Sequence, residues 1–213
     1  MELKILYEDQ NIAVCLKPSG VLSQAGKEGQ ESMLSLLSSQ LGGEFYPVHR
    51  LDKEVGGVMV YARNQKTAGD LSRQIQQGNM KKEYLAIVHG CPEEENGIFE
   101  DLLLHDMKRN KSFVVDRERK GVKKARLSYA VLDKEADKAL VQVRLFTGRT
   151  HQIRVQFSSR RMPLVGDGRY GGGSGKICLF SCRLTFRYGG KETVFSALPE
   201  DFWNAPYVLT SIK

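Results

Sequence analysis

The sequence predicts an α+β fold: a mostly antiparallel, mixed central sheet with flanking helices and loops. Two observations carry that expectation. Runs with strand patterning outnumber runs with helical patterning, and polar turns short enough for hairpins join several of the strands. The composition agrees. Hydrophobic residues make up 41% of the 213 residues and charged residues 27%, the balance of a globular chain with a sizeable core.

Leu3 to Tyr7 and Ile12 to Leu16 flank the polar stretch Glu8-Asp9-Gln10-Asn11 and read as a β-hairpin, which Pro18-Ser19-Gly20 closes off. Met33, Leu34, Leu37 and Leu41 recur at helical spacing, with Ser32 as the cap and Gly42-Gly43 as the stop. Val58 to Ala62 is the unbroken apolar run of a buried strand. Ala68, Leu71 and Ile75 mark a helix ending at Gly78-Asn79. Lys82 to His89 alternates as a strand, with Tyr84, Ala86 and Val88 on one face. Leu127 to Leu132 and Ala139 to Phe146 form two strands around the turn Asp133 to Lys138. Thr150 to Arg160 reads as a helix with Ile153 and Phe157 four apart, and Ile177 to Phe186 as a late strand. Gly171-Gly172-Gly173-Ser174-Gly175 reads as a flexible connector. No repeat, low-complexity tract or clear linker interrupts the chain, so one domain over residues 1–213 is expected.

Several function classes lose support. The longest apolar runs fall far short of the roughly 20 residues a membrane helix needs. The N-terminal MELKILYEDQ has acidic residues early and no signal-peptide plan. Cys15, Cys91, Cys178 and Cys182 lack the second close pair that would complete a zinc set. A cytoplasmic protein with reduced thiols and no metal is the simplest reading. Neither a Gly-x-Ser-x-Gly elbow nor a Walker loop is present.

Charge is unevenly placed. Lys108 to Arg126 holds nine basic residues, Lys123 and Lys124 among them, against two acids, and so carries the whole net charge of +7. A focused patch of that kind attracts polyanions, although a solvated basic loop would have the same composition.

Two stretches are chemically dense. VHRLDKEVGGVMVYARN, Val48 to Asn64, sets Asp52 in a polar turn ahead of a buried strand. A carboxylate so held is a candidate catalyst, and equally an ordinary turn residue. LFTGRTHQIRVQF, Leu145 to Phe157, groups Arg149, His151 and Arg154. On a helix over 150–160, His151 and Arg154 share a face, and Thr147-Gly148 leaves backbone N–H groups near its start. Such a group can hold a phosphate or a carboxylate. Ile153 and Phe157 bury part of this helix, and a buried Arg154 requires an anion, for which Asp52 is the candidate.

Taken together, these segments resemble the RluA family of RNA pseudouridine synthases. ILYEDQNIAVCLKPSGVLS fits the family's strand pair and Lys-Pro-x-Gly turn. VHRLDKEVGG keeps its His-Arg-Leu-Asp, and KKEYLAIVHG its Lys-x-Tyr strand. GVKKARLSY is a looser match to the basic stretch that follows. TGRTHQIRVQF and RMPLVGDGRYGG are similar to the family's Gly-Arg-Thr-His-Gln-Ile-Arg and Pro-Ile-x-Gly-Asp-x-x-Tyr patterns. The tail LFSCRLTF and SALPEDF completes a resemblance spanning about Ile5 to Phe202.

The resemblance implies a pseudouridine synthase-like fold with a catalytic cleft across the sheet. It also implies an enzyme that isomerises uridine in rRNA or tRNA without a cofactor. Asp52 would be the essential carboxylate, acting either on C1′ or on the 2′ proton. Arg154 would pair with Asp52, Tyr84 would stack on the base and serve proton transfer at C5, and Ile153 would line the uracil pocket. Arg50 would fill the space of the flipped base or hold its phosphate, His49 would brace the turn, and the basic tract would grip the RNA backbone. No S4-type RNA-binding domain, membrane or protein partner is expected, and a monomer is the default. An idle RNA-binding protein or chaperone on the same scaffold is the alternative; a hydrolase using Asp52 is a third. Three departures stand out: Val55-Gly56 for the family's Thr-Ser, Gln156 for His, and Phe180-Ser181 for His-Ala.

Overall fold

The computed structural model describes residues 1–26 and 30–199. The chain divides into two compact units, one formed by Met1–Lys82 with Phe180–Leu198, the other by Glu83–Leu179.

In the first unit, β1 (Ile5–Glu8) and β2 (Ile12–Lys17) form the expected hairpin. Asp9 sets its turn by accepting the N–H groups of Asn11 and Ile12 at 2.8 and 2.9 Å. β2 pairs antiparallel with β4 (Gly56–Ala62), and β3 (Tyr46–Pro47) pairs with the far end of β4. β10 (Leu179–Tyr188) joins β4 in parallel at Gly56 and Gly57, and β11 (Lys191–Ser196) folds back antiparallel on β10. The sheet is therefore mixed. Ile12, Val14, Val58 and Val60 share a core with Leu71, Met80, Leu184 and Phe186. Their neighbours Ala13, Cys15, Met59 and Tyr61 are buried as well, which is why β4 reads as an unbroken apolar run.

Both helices of this unit obey their sequence signals. α1 (Met33–Leu41) starts with a reciprocal cap, in which Ser32 Oγ accepts the Ser35 N–H and Ser35 Oγ accepts the Ser32 N–H. It stops at Gly42, φ 71°. α2 (Gln65–Gln76) begins where Asn64 Oδ1 accepts the Thr67 N–H at 2.9 Å, and Gly78 at φ 72° follows its end. Gly57 serves a different purpose. Its φ is 127°, and an added Cβ would fall 2.4 Å from the Ser181 carbonyl oxygen. A glycine here lets β10 approach the strand that follows the Asp52 turn.

The second unit orders its strands β5-β9-β8-β6-β7, with β5 at Lys81–His89, β6 at Asn96–Asp106, β7 at Lys111–Val115, β8 at Val122–Glu135 and β9 at Lys138–Leu145. The sequence reading missed β6 and β7 and started β8 at Leu127, five residues late. Charge concealed the start of β8: Lys123, Lys124 and Arg126 are exposed, so it begins with little apolar alternation. The turn expected over 133–138 shrinks to Ala136-Asp137, because Glu135 already faces Lys138. The late strand lies two residues beyond its expected range.

α3 covers Gln152–Ser158, shorter than the expected helix. His151 is left-handed at φ 56°, so Thr150 and His151 belong to the entry loop. At the far end Arg160 and Arg161 donate to Phe157 and Ser158, three residues back, and Arg161 turns left-handed. α3 packs Phe157 against Phe99 and Tyr129, with ring centroids 5.0 and 5.9 Å away.

The glycine-rich stretch is not a loose connector at its start. Gly166 donates to Gly172 O, Gly172 donates to Asp167 O, and a Cβ on Gly172 would lie 1.7 Å from the Leu164 oxygen. Gly172→Ala should therefore destabilise the protein by on the order of 3 kcal/mol, a fall in Tm of about 6–12 °C. Ser174→Ala should stay within about 2 °C. Thermal unfolding followed by circular dichroism distinguishes the two.

Candidate active site

In the first unit the segment 17–23 braces the turn that carries Asp52. Ser23 Oγ accepts the Leu51 N–H at 2.9 Å and donates to Leu51 O at 2.7 Å. Lys53 O accepts from Lys17 Nζ at 3.0 Å and from the Gly20 N–H at 2.8 Å. Ser19 Oγ donates to Glu54 O at 2.6 Å, and the Val55 N–H closes the turn onto Asp52 O at 3.0 Å. Leu51 and Val55 are buried on either side of the turn, whereas Asp52 keeps part of its surface in solvent. Every carbonyl from Leu51 to Glu54 is thus engaged. With Val55-Gly56 offering no hydroxyl, the turn is held by Lys17, Ser19 and Ser23.

Two titratable groups lie under this turn. Lys17 is 1% exposed. Burial pulls its ammonium down to about 8, against the opposing pull of Glu54 and Asp52. His49 retains some exposed surface, but its Nδ1 is sealed from solvent, and its Nε2 accepts the Val60 N–H at 3.3 Å. Burial, reinforced by the Lys82 ammonium, pushes the ring down to about 3. His49 therefore joins the turn to β4 as a neutral acceptor. Arg50 beside it is exposed.

In the second unit Arg154 projects from α3 and is 4% exposed. Its Nε and Nη2 donate to Asp167 Oδ2 and Oδ1 at 2.7 and 2.8 Å, a bidentate fork between two buried side chains. The burial inferred from Ile153 and Phe157 is present, and the buried carboxylate on Arg154 Nε and Nη2 is Asp167, which the sequence reading did not name. The signal was available, since Asp167 lies in the GDGRY segment already singled out by motif. Tyr170, from the same segment, was overlooked too. Its ring lies 5.3 Å from the Arg154 guanidinium carbon, and its hydroxyl accepts the Ser112 N–H at 2.8 Å while meeting His151 Nδ1 at 3.0 Å.

His151 and Ile153 are buried. Because His151 stands in the left-handed entry residue, it does not extend a helical face with Arg154. The backbone donors expected near the helix start are partly taken: the Thr147 N–H goes to Arg126 O, and the Arg149 N–H to Gln152 Oε1 at 3.0 Å. Arg149 Nε donates to Lys124 O at 2.9 Å, which ties the entry loop to the exposed basic part of β8. Tyr84 is buried on β5. Gln156, at the family's His position, donates to Asp101 Oδ2 at 2.7 Å, and Arg160 bonds the same carboxylate. Ser181 Oγ donates to Val58 O at 3.1 Å. Among the described residues no group of three or more His, Cys, Asp or Glu side chains could hold a metal, and no helix is long and apolar enough to cross a membrane.

The sequence model of RNA pseudouridylate synthases matches residues 11–159. The chain belongs to this family. A relative in Nitrosomonas europaea, ribosomal large subunit pseudouridine synthase D, is 37% identical over 175 residues, which cover 79% of this chain and 50% of that protein. An uncharacterised RNA pseudouridine synthase of Haemophilus influenzae is 28% identical over the whole chain and 96% of its own length. The chain thus spans about half the length of several curated relatives and nearly all of another. A solved structure, human RNA pseudouridylate synthase domain containing 4, superposes with a TM-score of 0.78 at 24% identity, covering 93% of this chain and 90% of that one. The α+β fold with a mixed sheet is that of the family.

Two measurements test the bracing. Ser23→Ala leaves a buried N–H and carbonyl without their partner and should cost about 1–3 kcal/mol in denaturant unfolding. The His49 shift has a defined sign. The unfolded ring takes up a proton below about 6.5, whereas the folded ring stays neutral down to about 3. Its contribution is complete above pH 6.5 and declines as pH falls toward 3. Between pH 6.5 and 5, stability of His49→Gln should fall less steeply than that of the wild type; parallel slopes would contradict the buried neutral ring.

Proposed function

We propose that the protein isomerises uridine to pseudouridine in RNA. The observation that carries this reading is the His-Arg-Leu-Asp turn of a family member, with its backbone held on both sides of Asp52. The C1′–N1 bond breaks, the base turns, and a C1′–C5 bond forms. C5 gives up its proton and N1 gains one, so the change is an isomerisation with no net redox step.

Asp52 is the catalytic carboxylate, Arg154 a second catalytic residue, and Tyr84 contacts the base and serves the proton at C5. Arg50 replaces the extruded base or holds its phosphate, as befits an exposed arginine two residues before Asp52. Ile153 lines the uracil pocket. Lys123, Lys124 and Arg149, with the neighbouring basic residues of β7 and β8, grip the RNA backbone without reading sequence. His151 supports that grip from within. The substrate is an accessible loop of rRNA or tRNA. The Nitrosomonas relative is named for the large ribosomal subunit, which makes that RNA the first to test. A cytoplasmic monomer working without a cofactor fits this reading.

Tritium release from RNA labelled at uridine C5 tests it. The wild type should release tritium to water. Asp52→Asn should lose at least about a thousandfold in rate, a magnitude in the range lost with essential catalytic groups. No release by the wild type from any cellular RNA would sink the reaction, and undiminished release by Asp52→Asn would sink the role of the carboxylate. Arg154→Ala should weaken catalysis more than RNA binding measured by filter retention; equal losses would point to a phosphate contact.

A further inference from the structure

We infer that Asp167 is a positioning residue, one that fixes the guanidinium plane of Arg154 for the reaction proposed above, on which this inference rests. An arginine side chain has several rotatable bonds, so its place on α3 does not by itself orient the charged end. The fork does. Asp167 takes Nε at 2.7 Å and Nη2 at 2.8 Å, and the two side chains are 1% and 5% exposed, so water cannot substitute for either bond. The Tyr170 ring then covers one face of the guanidinium.

The carboxylate is itself held. The Asp167 N–H donates to Leu164 O at 3.0 Å, and Asp167 O accepts the N–H groups of Tyr170 at 3.1 Å and Gly172 at 2.9 Å. Gly172 permits that closure, since any Cβ would strike the Leu164 oxygen. Tyr170 is pinned by Ser112 and His151 at its hydroxyl and by Ser158 Oγ at its carbonyl, 2.8 Å away. The same turn also anchors the basic hairpin: Arg169 Nη1 donates to Arg109 O and Asn110 O at 3.1 and 2.9 Å. One short segment therefore orients the arginine and fixes the end of β7 that carries part of the basic tract.

The obvious variant is nearly isosteric. Asp167→Asn keeps one acceptor but turns an NH2 group toward guanidinium donors, which breaks the fork. Steady-state tritium release is compared for wild type, Asp167→Asn, Asp167→Glu, Arg154→Gln and the Arg154→Gln/Asp167→Asn pair, each at a temperature where circular dichroism shows it folded. Asp167→Asn should lower kcat about a hundredfold, the scale of a misplaced catalytic group. KM should stay within about threefold, and Asp167→Glu should recover part of the rate. The double variant should be no slower than Arg154→Gln alone, because Asp167 acts through Arg154. A kcat for Asp167→Asn within about threefold of wild type, or losses that multiply in the double variant, would overturn the assignment. A readout independent of activity accompanies these: the Arg154 Nε–H proton resonance should be protected from exchange in the wild type and lost in Asp167→Asn. Retention of that protection in Asp167→Asn also overturns the clamp. A wild type without tritium release would instead sink the reaction, leaving the resonance to decide the clamp.

Discussion

A buried guanidinium has to be answered by a buried carboxylate, and the contact between Arg154 and Asp167 is the constraint around which the second unit is arranged. Removing Arg154 leaves the buried Asp167 carboxylate without its counter-charge, at a cost of about 3–5 kcal/mol. A well-packed apolar pair of similar volume would nevertheless stabilise the fold as well or better. What the ionic pair adds is direction: a planar donor set held against a planar acceptor. α3, the glycine-closed Gly166–Tyr170 segment and the β6–β7 hairpin all meet at that contact or at the Tyr170 ring beside it.

The first unit solves a related problem with hydrogen bonds to backbone groups. A turn presenting a partly solvated carboxylate is prone to rearrange unless its backbone is fixed. Lys17, Ser19, Gly20 and Ser23 occupy the carbonyls around Asp52, and the buried Leu51 and Val55 anchor its flanks. That arrangement holds the turn with no hydroxyl side chain from Val55 or Gly56. It also gives Gly57 a reason: the β10 backbone passes where a side chain would be. The turn belongs to one unit and the fork to the other.

Legibility in the sequence followed the strength of local signals. Ser32 marked a helix start, Gly42 and Gly78 helix ends, and the apolar run at 58–62 a strand buried on both faces, because each depends on residues close in the chain. The start of β8 was concealed by charges on solvent-facing positions, which erase alternation without preventing a ladder, and β6, which pairs with β8, and β7, which pairs with β6, were missed with it. The start of α3 was misplaced because Gln152 captures the entry loop with its side chain, a contact no propensity encodes. Within the candidate site, the motifs located Asp52 and Arg154, and the apolar spacing foretold the burial of Arg154. The anion 13 residues away and the serine braces 28 to 35 residues away depend on tertiary closure, which spacing alone does not reveal. The glycine-rich stretch misled in the opposite direction, since Gly172 serves close packing rather than freedom.

The most direct test of the central claim is a pseudouridine map of cellular RNA from a strain lacking this gene, complemented with wild type or with Asp52→Asn. One or a few modified positions should vanish in the deletion strain, return with the wild type and stay absent with Asp52→Asn. A map unchanged by deletion, or restored equally by Asp52→Asn, would contradict an RNA pseudouridine synthase working through the carboxylate of this turn.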